Sequence, residues 1–242
     1  MRITSLIFVL LVSVPLSFSQ RTGVVVVIDP GHGGNDPGHL SENKNHLTEK
    51  ELNLKISKFL GTYLETYLQN VTVIYTRTGD TYPSLDDRVD KANANNADYF
   101  ISVHCNGNDR HSVRGTETHV HSMELKKSVE LAKSIEKQFS ARAGRKSRGV
   151  KDERDLQHSL QVLKFTNMTS VLVECGFLTN EREANFLNTT YGQEIIASAI
   201  FRGFRATIEA EHPSISFRKE AGTTTVAQAP SEEAGTYCIQ IA

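Results

Sequence analysis

The sequence predicts a single α/β domain with a mostly parallel central sheet and helices covering both faces of that sheet. Apolar, β-branched runs typical of buried strands alternate along the chain with apolar residues at helical spacing. Strands that alternate with helices are joined by crossover connections, which place the strands parallel. The length of 242 residues fits one sizeable domain with tails and is short for two domains.

The clearest strand is the uninterrupted apolar run from Val24 to Ile28, which ends at Asp29. A run without polar positions is typical of a strand buried on both faces. Further strands are predicted at 71–76, 99–104 and 170–174. Residues 115–121 alternate in polarity, so we predict an exposed or edge strand there.

A long first helix is predicted to begin at about Glu49. Thr48 and Glu51 have the spacing of a capping box. The apolar stripe of this helix consists of Leu52, Ile56, Phe59, Leu60, Tyr63 and Tyr67. Further helices are predicted at 85–94, 124–139, 181–187 and from 193 to about 209. The basic interval 139–155 is predicted to be a mobile loop.

The first 19 residues are predicted to be a signal peptide. A positive start at Arg2 precedes an apolar run, and Ser17 and Ser19 have the small-x-small spacing of a cleavage site. The alternative is a transmembrane anchor, for which the run is short. We therefore expect an exported protein, periplasmic or associated with the cell wall, without stable membrane insertion after cleavage.

The remaining chain divides into a folded domain at 20–212, a flexible linker at 213–236 and a strand-like end at 237–242. The linker lacks large apolar residues over most of its length. A linker that leads to an unpaired strand indicates either a piece of a longer protein or a frayed tail.

Composition excludes some classes of partner and scaffold. The formal net charge of −1 provides no basic field for nucleic acid, so no nucleic-acid partner is predicted. Three cysteines are too few for a disulfide-stapled scaffold. Cys105 and Cys175 each lie at the end of a predicted strand, close enough to meet, and we interpret them as buried thiols. We expect a monomer.

Four polar residues lie at positions where ligands bind in parallel sheets, at the carboxyl ends of strands. His32 follows the first strand, and His104 and Glu174 end later strands. Glu49 lies on the apolar face of the first helix, where a carboxylate needs compensation. Two histidines and a carboxylate are a frequent ligand set for catalytic zinc, and Glu174 is available as a general base. Each of the four also has an ordinary structural interpretation.

A second set competes with this one on spacing alone. Glu117, His119 and His121 alternate along one strand, so their side chains share a face and could hold zinc. Their position within a strand, and not at its end, argues against them.

A series of motifs occurs in one order along the chain. They are Ile28-Asp29-Pro30-Gly31-His32-Gly33-Gly34 with Asp36-Pro37-Gly38, Glu49-Lys50 before Leu52-Asn53-Leu54, Thr76-Arg77 with Asp80, Leu85 and Arg88 before Ala92-Asn93, the run from Ala97 to Asn106, Gly115-Thr116-Glu117, and the run from Val171 to Asn180. With these motifs the chain resembles the zinc-dependent N-acetylmuramoyl-L-alanine amidases of the Amidase_3 family, from about Val24 to Glu211.

The resemblance implies that His32, Glu49 and His104 bind Zn²⁺ and that Glu174 is the catalytic glutamate. It also implies a phosphorylase/hydrolase-like α/β fold and structural or substrate-lining roles for Glu117, His119 and His121. The implied reaction is hydrolysis of the amide bond between N-acetylmuramic acid and L-alanine in peptidoglycan, for wall remodelling or daughter-cell separation. A peptidoglycan sugar deacetylase and an inactive peptidoglycan-binding protein are the alternatives.

Two features bear on regulation and targeting. Some family members carry a long helical insert that occludes the zinc until an activator protein binds. The interval 142–155 is too short for such an insert, so we predict an uninhibited site, although an activator is possible. The final residues 237–242 resemble the first strand of a SPOR peptidoglycan-binding domain.

Overall fold

The computed structural model describes residues 23–218. Within that part of the chain the strands are β1 (Val24–Pro30), β2 (Val71–Tyr75), β3 (Tyr99–Asn106), β4 (Thr116–His119), β5 (Ser147–Lys151) and β6 (Thr169–Phe177). The helices are α1 (Glu49–Tyr67), α2 (Leu85–Ala94), α3 (Lys126–Ala141), α4 (Glu153–Leu156), α5 (Gln161–Lys164), α6 (Glu181–Leu187) and α7 (Thr190–Glu211).

The strands form one six-stranded sheet in the order β2-β1-β3-β6-β4-β5. All neighbouring strands are parallel except β4, which runs antiparallel to β6. The prediction of an α/β fold with a mostly parallel sheet is confirmed.

Helices cover both faces of the sheet, as predicted, but unequally. In β1, Val26 and Ile28 point into the larger core, which contains apolar side chains of α1, α3 and α7. Val25 and Val27 point to the opposite face, where the smaller core includes residues of α2 and α5. Both sets of β1 side chains are buried, which explains the uninterrupted apolar run.

The start of α1 is as the sequence predicts. The side chains of Thr48 and Glu51 form the capping box, each accepting from the backbone of the other residue. Glu51 also accepts a hydrogen bond from the hydroxyl of Thr48 at 2.7 Å. Since Glu51 satisfies the helix start, the side chain of Glu49 is left for contacts inside the domain.

The prediction of an edge strand at 115–121 was wrong. β4 lies inside the sheet between β6 and β5, and all four of its residues are buried. Its polar alternation reflects buried hydrogen bonds, since Thr116 and Thr118 donate to the carboxylate of Glu136 on α3, at 3.0 and 2.8 Å. Polar pairing, and not solvent, explains the pattern.

The prediction of a mobile loop at 139–155 was also wrong. Helix α3 continues to Ala141, and β5 forms the true edge of the sheet beside β4. The sequence of β5 is Ser-Arg-Gly-Val-Lys, which has no apolar run that would indicate a strand. β5 forms through backbone hydrogen bonds with β4, which its side-chain pattern does not predict. The short helices α4 and α5 were not predicted either.

The packed chain continues past the predicted boundary at residue 212. Ile215 is buried, and the ring of Phe217 stacks on Tyr67 of α1 with centroids 5.7 Å apart. The first residues of the predicted linker therefore pack on the domain. The predicted signal peptide at 1–19 and the strand at 237–242 lie outside the described residues. No helix within 23–218 is long and apolar enough to cross a membrane.

Cys105 and Cys175 lie side by side on β3 and β6, as predicted, and both are buried free thiols. A hydrogen bond with Cys175, together with burial, holds the pKa of the Cys105 thiol well above its ordinary value. Both side chains therefore act as small apolar groups in the larger core.

Helices α3 and α7 approach closely at Gly203. A Cβ atom on Gly203 would lie 2.6 Å from the Cα atom of Ile135 on α3. The hydroxyl of Ser134 on α3 donates to the carbonyl of Gly203 at 2.9 Å, which fixes the two backbones at this distance.

We expect Gly203→Ala to lower the free energy of unfolding by about 1–3 kcal/mol, because overpacking forces the helices apart. This sign is opposite to the gain of about 1 kcal/mol that alanine brings to an unconstrained helix. Urea denaturation followed by circular dichroism measures the effect. Gly79→Ala, at an exposed position with open space around it, is the control. A stabilised Gly203→Ala variant would contradict the close packing.

Candidate active site

The loop after β1 is held in place by two buried arginines. The guanidinium of Arg88 pairs with the carboxylate of Asp29 at 2.6 Å and donates to the carbonyls of Pro30 and His32 at 2.9 and 2.8 Å. Arg77 donates to the same Pro30 carbonyl at 2.9 Å. Charge-assisted hydrogen bonds of this kind fix the loop backbone before any ligand arrives.

His32 adopts a left-handed backbone conformation, with φ of 59°, at the turn of this loop. Its Nδ1 lies 2.8 Å from Asp36 Oδ2, and its Nε2 lies 3.0 Å from Glu49 Oε1. A hydrogen bond to Asp36 assigns the Nδ1 proton and directs Nε2 toward the interior. Asp36 is itself held by the backbone N–H of Gly38 at 3.1 Å.

The carboxylate of Glu49 is the centre of the site and has no exposed surface. Its Oε1 lies 3.1 Å from His104 Nδ1 and accepts from the backbone N–H of Cys105 at 3.0 Å. Its Oε2 lies 2.7 Å from the backbone nitrogen and 3.0 Å from the Nδ1 of His39. Both oxygens are thus oriented by groups from the β1 loop and β3.

Glu49, His32 and His39 shift one another's pKa values. Burial alone would raise the pKa of Glu49, but hydrogen bonds from His104, His32 and His39 outweigh it and hold that pKa well below its ordinary value. Burial likewise opposes the charge on His32, yet Glu49 and Asp36 raise its pKa. Glu49 also raises the pKa of His39. In the absence of another cation, protons on His32 and His39 balance the buried carboxylate.

Two glycines allow these side chains to meet. A Cβ atom on Gly31 would lie 2.2 Å from the imidazole ring of His104. At Gly38, φ is 67° and a Cβ atom would lie 2.5 Å from Glu49 Oε2. Any larger residue at either position would displace a side chain of the cluster.

His32, Glu49 and His104 each offer a ligand atom, and these three atoms lie within 4.8 Å of one another. They are the only such group of histidine, cysteine, aspartate or glutamate among residues 23–218. A tetrahedral zinc ion with bonds of about 2.0–2.1 Å separates neighbouring ligand atoms by about 3.3 Å. The distances of 3.0 and 3.1 Å from Glu49 Oε1 to the two imidazole nitrogens are close to that value.

Glu174 lies on β6 directly beside this cluster. In the sheet register it is opposite His104 on β3 and opposite Glu117 on β4. Its Oε2 is buried and, among the described residues, has no hydrogen-bond partner. Burial, with the charges of Glu49 and Glu117, raises the pKa of Glu174 well above its ordinary value. The carboxyl group is therefore adjacent to the donors and free to act on another molecule.

The competing set does not gather into a metal group. Glu117 Oε2 accepts from Arg148 Nε at 2.8 Å and lies 2.6 Å from Lys151 Nζ. His119 Nε2 lies 3.4 Å from Glu117 Oε1, whereas His121 Nδ1 faces Glu153 on α4 at 3.6 Å. The basic side chains of Arg148 and Lys151 compensate the carboxylate of Glu117.

Two cavities lie near this cluster, and Leu160 lines both of them. The first, of about 380 Å³, is called the apolar pocket after the side chains of Tyr82, Leu85, Val162 and Leu172. The rest of its lining, apart from Leu160, is polar, charged or glycine: Asp29, Gly31, His32, Asp36, Arg88, His104, Ser159 and Gln161. The second, of about 280 Å³, is called the charged pocket. It is lined by Glu174, Glu117, Arg148, Lys151, His119, His158, Asn106, Asn108, Leu156 and Phe177. His32 and His104 line the apolar pocket and Glu174 lines the charged pocket, whereas Glu49 is buried and lines neither. The two pockets, which share Leu160, are together called the cleft.

Comparison with known proteins agrees with this geometry. The sequence model of the Amidase_3 family, described as N-acetylmuramoyl-L-alanine amidase, matches residues 26–206. The chain belongs to this family. Enzymes of the family are zinc-dependent, and the cluster of His32, Glu49 and His104 suits such a metal.

Relatives and solved structures support the assignment. The N-acetylmuramoyl-L-alanine amidase LytC of Bacillus subtilis is 37% identical over 182 residues, which are 75% of this chain but 35% of LytC. An N-acetylmuramoyl-L-alanine amidase of Clostridium difficile 630 superposes with a TM-score of 0.73 at 34% identity, covering 78% of this chain and 99% of that one. The CwlD amidase of Clostridioides difficile, solved with the GerS lipoprotein, has a TM-score of 0.70 at 31% identity, with 78% and 100% covered.

Sequence reasoning did not find every residue of the site. His39, which contacts Glu49 Oε2, lies in a loop without periodicity. Its only signal in the sequence is that it is a further histidine close to His32. Arg77 and Arg88 belong to motifs of the family, but their contacts with the loop after β1 join segments distant in sequence, so spacing alone did not predict them. Asp36, the partner of His32, lay within such a motif as well.

The pairing of Glu117 predicts a pH dependence of stability. Burial opposes ionisation, but hydrogen bonds with His119, Lys151 and Arg148 lower the pKa of Glu117 to about 2. Because the folded pKa lies below the unfolded value, the stabilisation is present above about pH 4.5 and is lost as the pH falls toward 2. We expect the excess stability of the native chain over Glu117→Gln to shrink by roughly 3 kcal/mol over that range.

Denaturant titrations at a series of pH values measure this difference. The exposed carboxylate of Glu124 gives the matched control, since Glu124→Gln should differ from the native chain by the same small amount at every pH. A constant difference for Glu117→Gln would show that its carboxylate is not held ionised by its neighbours.

Proposed function

We propose that this chain hydrolyses the amide bond between N-acetylmuramic acid and L-alanine in peptidoglycan, with Zn²⁺ bound by His32, Glu49 and His104. The main support is one juxtaposition: three donor atoms within 4.8 Å, beside a glutamate whose buried Oε2 has no partner in the described residues. Family membership supports the same reaction.

The donor set fits zinc in number and kind. Two imidazoles and one carboxylate leave a fourth position for water or substrate, as catalytic zinc sites require. When bound, the ion polarises a carbonyl and lowers the pKa of water toward neutrality. It also replaces the protons that otherwise balance Glu49, so ligand deprotonation accompanies binding.

Asp36 and His39 would orient the ligands. A carboxylate on the Nδ1 proton of His32 leaves Nε2 as the ligand atom, the arrangement usual for metal-bound histidines. His39 occupies Oε2 of Glu49 through its backbone and ring nitrogens, which leaves Oε1 facing the two imidazoles. The site would therefore be shaped in advance of metal binding.

Glu174 would move the proton. As a base it takes a proton from the attacking water, and as an acid it delivers that proton to the departing nitrogen of L-alanine. Its pKa, raised by burial and by the charges of Glu49 and Glu117, suits a group that must hold a proton for part of the cycle. With Zn²⁺ bound at the neighbouring cluster, Glu174 would have a lower pKa and could release its proton.

The setting of the reaction is also a proposal. The predicted signal peptide at 1–19 supports an exported enzyme acting in the periplasm or cell wall, in wall remodelling or daughter-cell separation. His32 and His104 keep 22% and 19% of their side-chain surface exposed, which supports an uninhibited site. That the enzyme acts as a monomer is part of the same proposal. CwlD was solved with a lipoprotein, so an activator partner is a further possibility to test.

Digestion of purified peptidoglycan tests the reaction. We expect the zinc-loaded chain to release stem peptides that begin at L-alanine, detected by mass spectrometry, and a chelator to abolish release. Glu174→Gln should lower the rate by roughly 10²–10⁴-fold, because it removes the proton carrier. Glu124→Gln, at an exposed carboxylate, is the matched control.

Other outcomes identify other functions. Acetate release with stem peptides still attached would indicate a sugar deacetylase. Binding to the wall without any release by the zinc-loaded chain would indicate an inactive binding protein. Equal activity of Glu174→Gln and the native chain would remove Glu174 from the mechanism.

Removal of the carboxylate beside His32 tests the ligand arrangement without measuring activity. Asp36→Asn should weaken zinc binding about 10–100-fold, because the partner of His32 Nδ1 loses its charge. Competition with a fluorescent chelator measures the dissociation constant. Asp90→Asn, on the exposed side of α2, is the control. Equal zinc affinity in the native chain, Asp36→Asn and Asp90→Asn would show that Asp36 does not contribute to metal binding.

A further inference from the structure

The cleft is asymmetric about the candidate metal ligands. The charged pocket contains Glu174 of β6, whereas the apolar pocket contains His32, which follows β1. In the sheet, β3 with His104 lies between these two strands. In the proposed reaction the group that protonates the leaving nitrogen must face the leaving group. The leaving group is the stem peptide, so the peptide would extend on the Glu174 side.

The charged pocket contains two basic side chains in addition to the carboxyl groups of Glu117 and Glu174. Arg148 and Lys151, both on β5, share the single carboxylate of Glu117. Arg148 uses Nε for this contact, and its terminal nitrogens have no acceptor in the described part of the chain. The guanidinium also lies over the ring of Phe177, 5.2 Å from its centroid, which fixes its plane. A planar, oriented guanidinium with free N–H groups is suited to a carboxylate.

We propose that the charged pocket is the stem-peptide subsite and that Arg148, assisted by Lys151, selects a free carboxylate on the second residue of the stem. This inference rests on the proposed function. That residue is a glutamate joined through its side chain, so its α-carboxylate is either free or amidated. The free form carries the charge that Arg148 recognises, and the amidated form does not.

The dimensions of the sheet agree with this assignment. Neighbouring strands lie about 4.8 Å apart, which puts β5 about 10 Å from β6. Arg148 reaches back over β4, since its Nε contacts Glu117. An extended dipeptide spans about 7 Å. With the scissile nitrogen beside Glu174, the carboxylate of the second residue falls within reach of the guanidinium.

The apolar pocket then accommodates the muramyl sugar. Tyr82 and Leu85 are 55% and 45% exposed at its margin, unusually open for such side chains. An aromatic ring and aliphatic groups suit the C–H face of an uncharged sugar. The two sides of the cleft thus differ in the same way as the two halves of the substrate.

Direct binding of product peptides tests the subsite. The probes are L-alanyl-γ-D-glutamate with a free α-carboxylate and the same dipeptide with that carboxylate amidated. We expect calorimetry on the zinc-loaded chain to give roughly tenfold tighter binding of the free acid, the effect of one partly exposed charge-assisted hydrogen bond. Cleavage of muramyl peptides carrying the same two groups should show the same preference in KM.

Three variants separate the contribution of Arg148 from general charge effects. Arg148→Gln should lose the preference, weakening the free acid about tenfold and leaving the amidated peptide within about twofold. Glu117 keeps Lys151 at 2.6 Å, so the fold is retained. Arg148→Lys should recover part of the preference. Arg154→Gln removes a charge from an exposed position outside the pocket and should change nothing.

An unchanged preference in Arg148→Gln, or a native chain that binds both peptides equally or neither, would overturn the subsite. The proposed function has a different failure. If the native chain binds the free acid selectively but cleaves no muramyl peptide, the subsite stands and the amidase reaction does not.

Discussion

The site depends on one buried carboxylate. Glu49 has no exposed surface and is held from three directions, by His32 and His39 in the loop after β1 and by His104 on β3. Removing an ion from water costs several kcal/mol unless partners replace the solvent. The first turn of α1, the loop after β1 and the end of β3 must therefore remain together, since moving any of them leaves a buried charge without partners.

A second buried carboxylate fixes the strands behind that cluster. Asp29 ends β1 and accepts from the hydroxyls of Thr76 and Ser102 at 2.6 and 2.7 Å, in addition to its ion pair with Arg88. Through these bonds one side chain joins β1 to β3, α2 and the end of β2. The network around Asp29 thus sets the backbone position, and the network around Glu49 orients the candidate ligands. This explains why a charged residue, Asp29, lies at the end of the otherwise apolar β1.

The sequence predicted the strands beside the candidate metal ligands, β1 and β3, better than it predicted β4 and β5. The apolar run of β1 and the position of His104 at a strand end are strong local signals, and the geometry agreed with both. β5 gave no such signal, because its pairing with β4 depends on backbone contacts and on the buried carboxylate of Glu136. The contacts of Arg148 could not be inferred without β5, although Glu117 had been noted for its spacing.

The reversed direction of β4 has an evolutionary consequence. Because β4 is antiparallel to β6 and parallel to β5, Glu117 and Arg148 reach the charged pocket near the starts of their strands, and the segment 107–115 before β4 contributes Asn108 to it. The candidate metal ligands, in contrast, lie after β1 (His32), near the end of β3 (His104) and at the start of α1 (Glu49). Insertions or deletions after Gly107, which packs against His39, would reshape the substrate side without touching the metal side. One scaffold can therefore diversify toward different wall chemistries while its reactive centre remains unchanged.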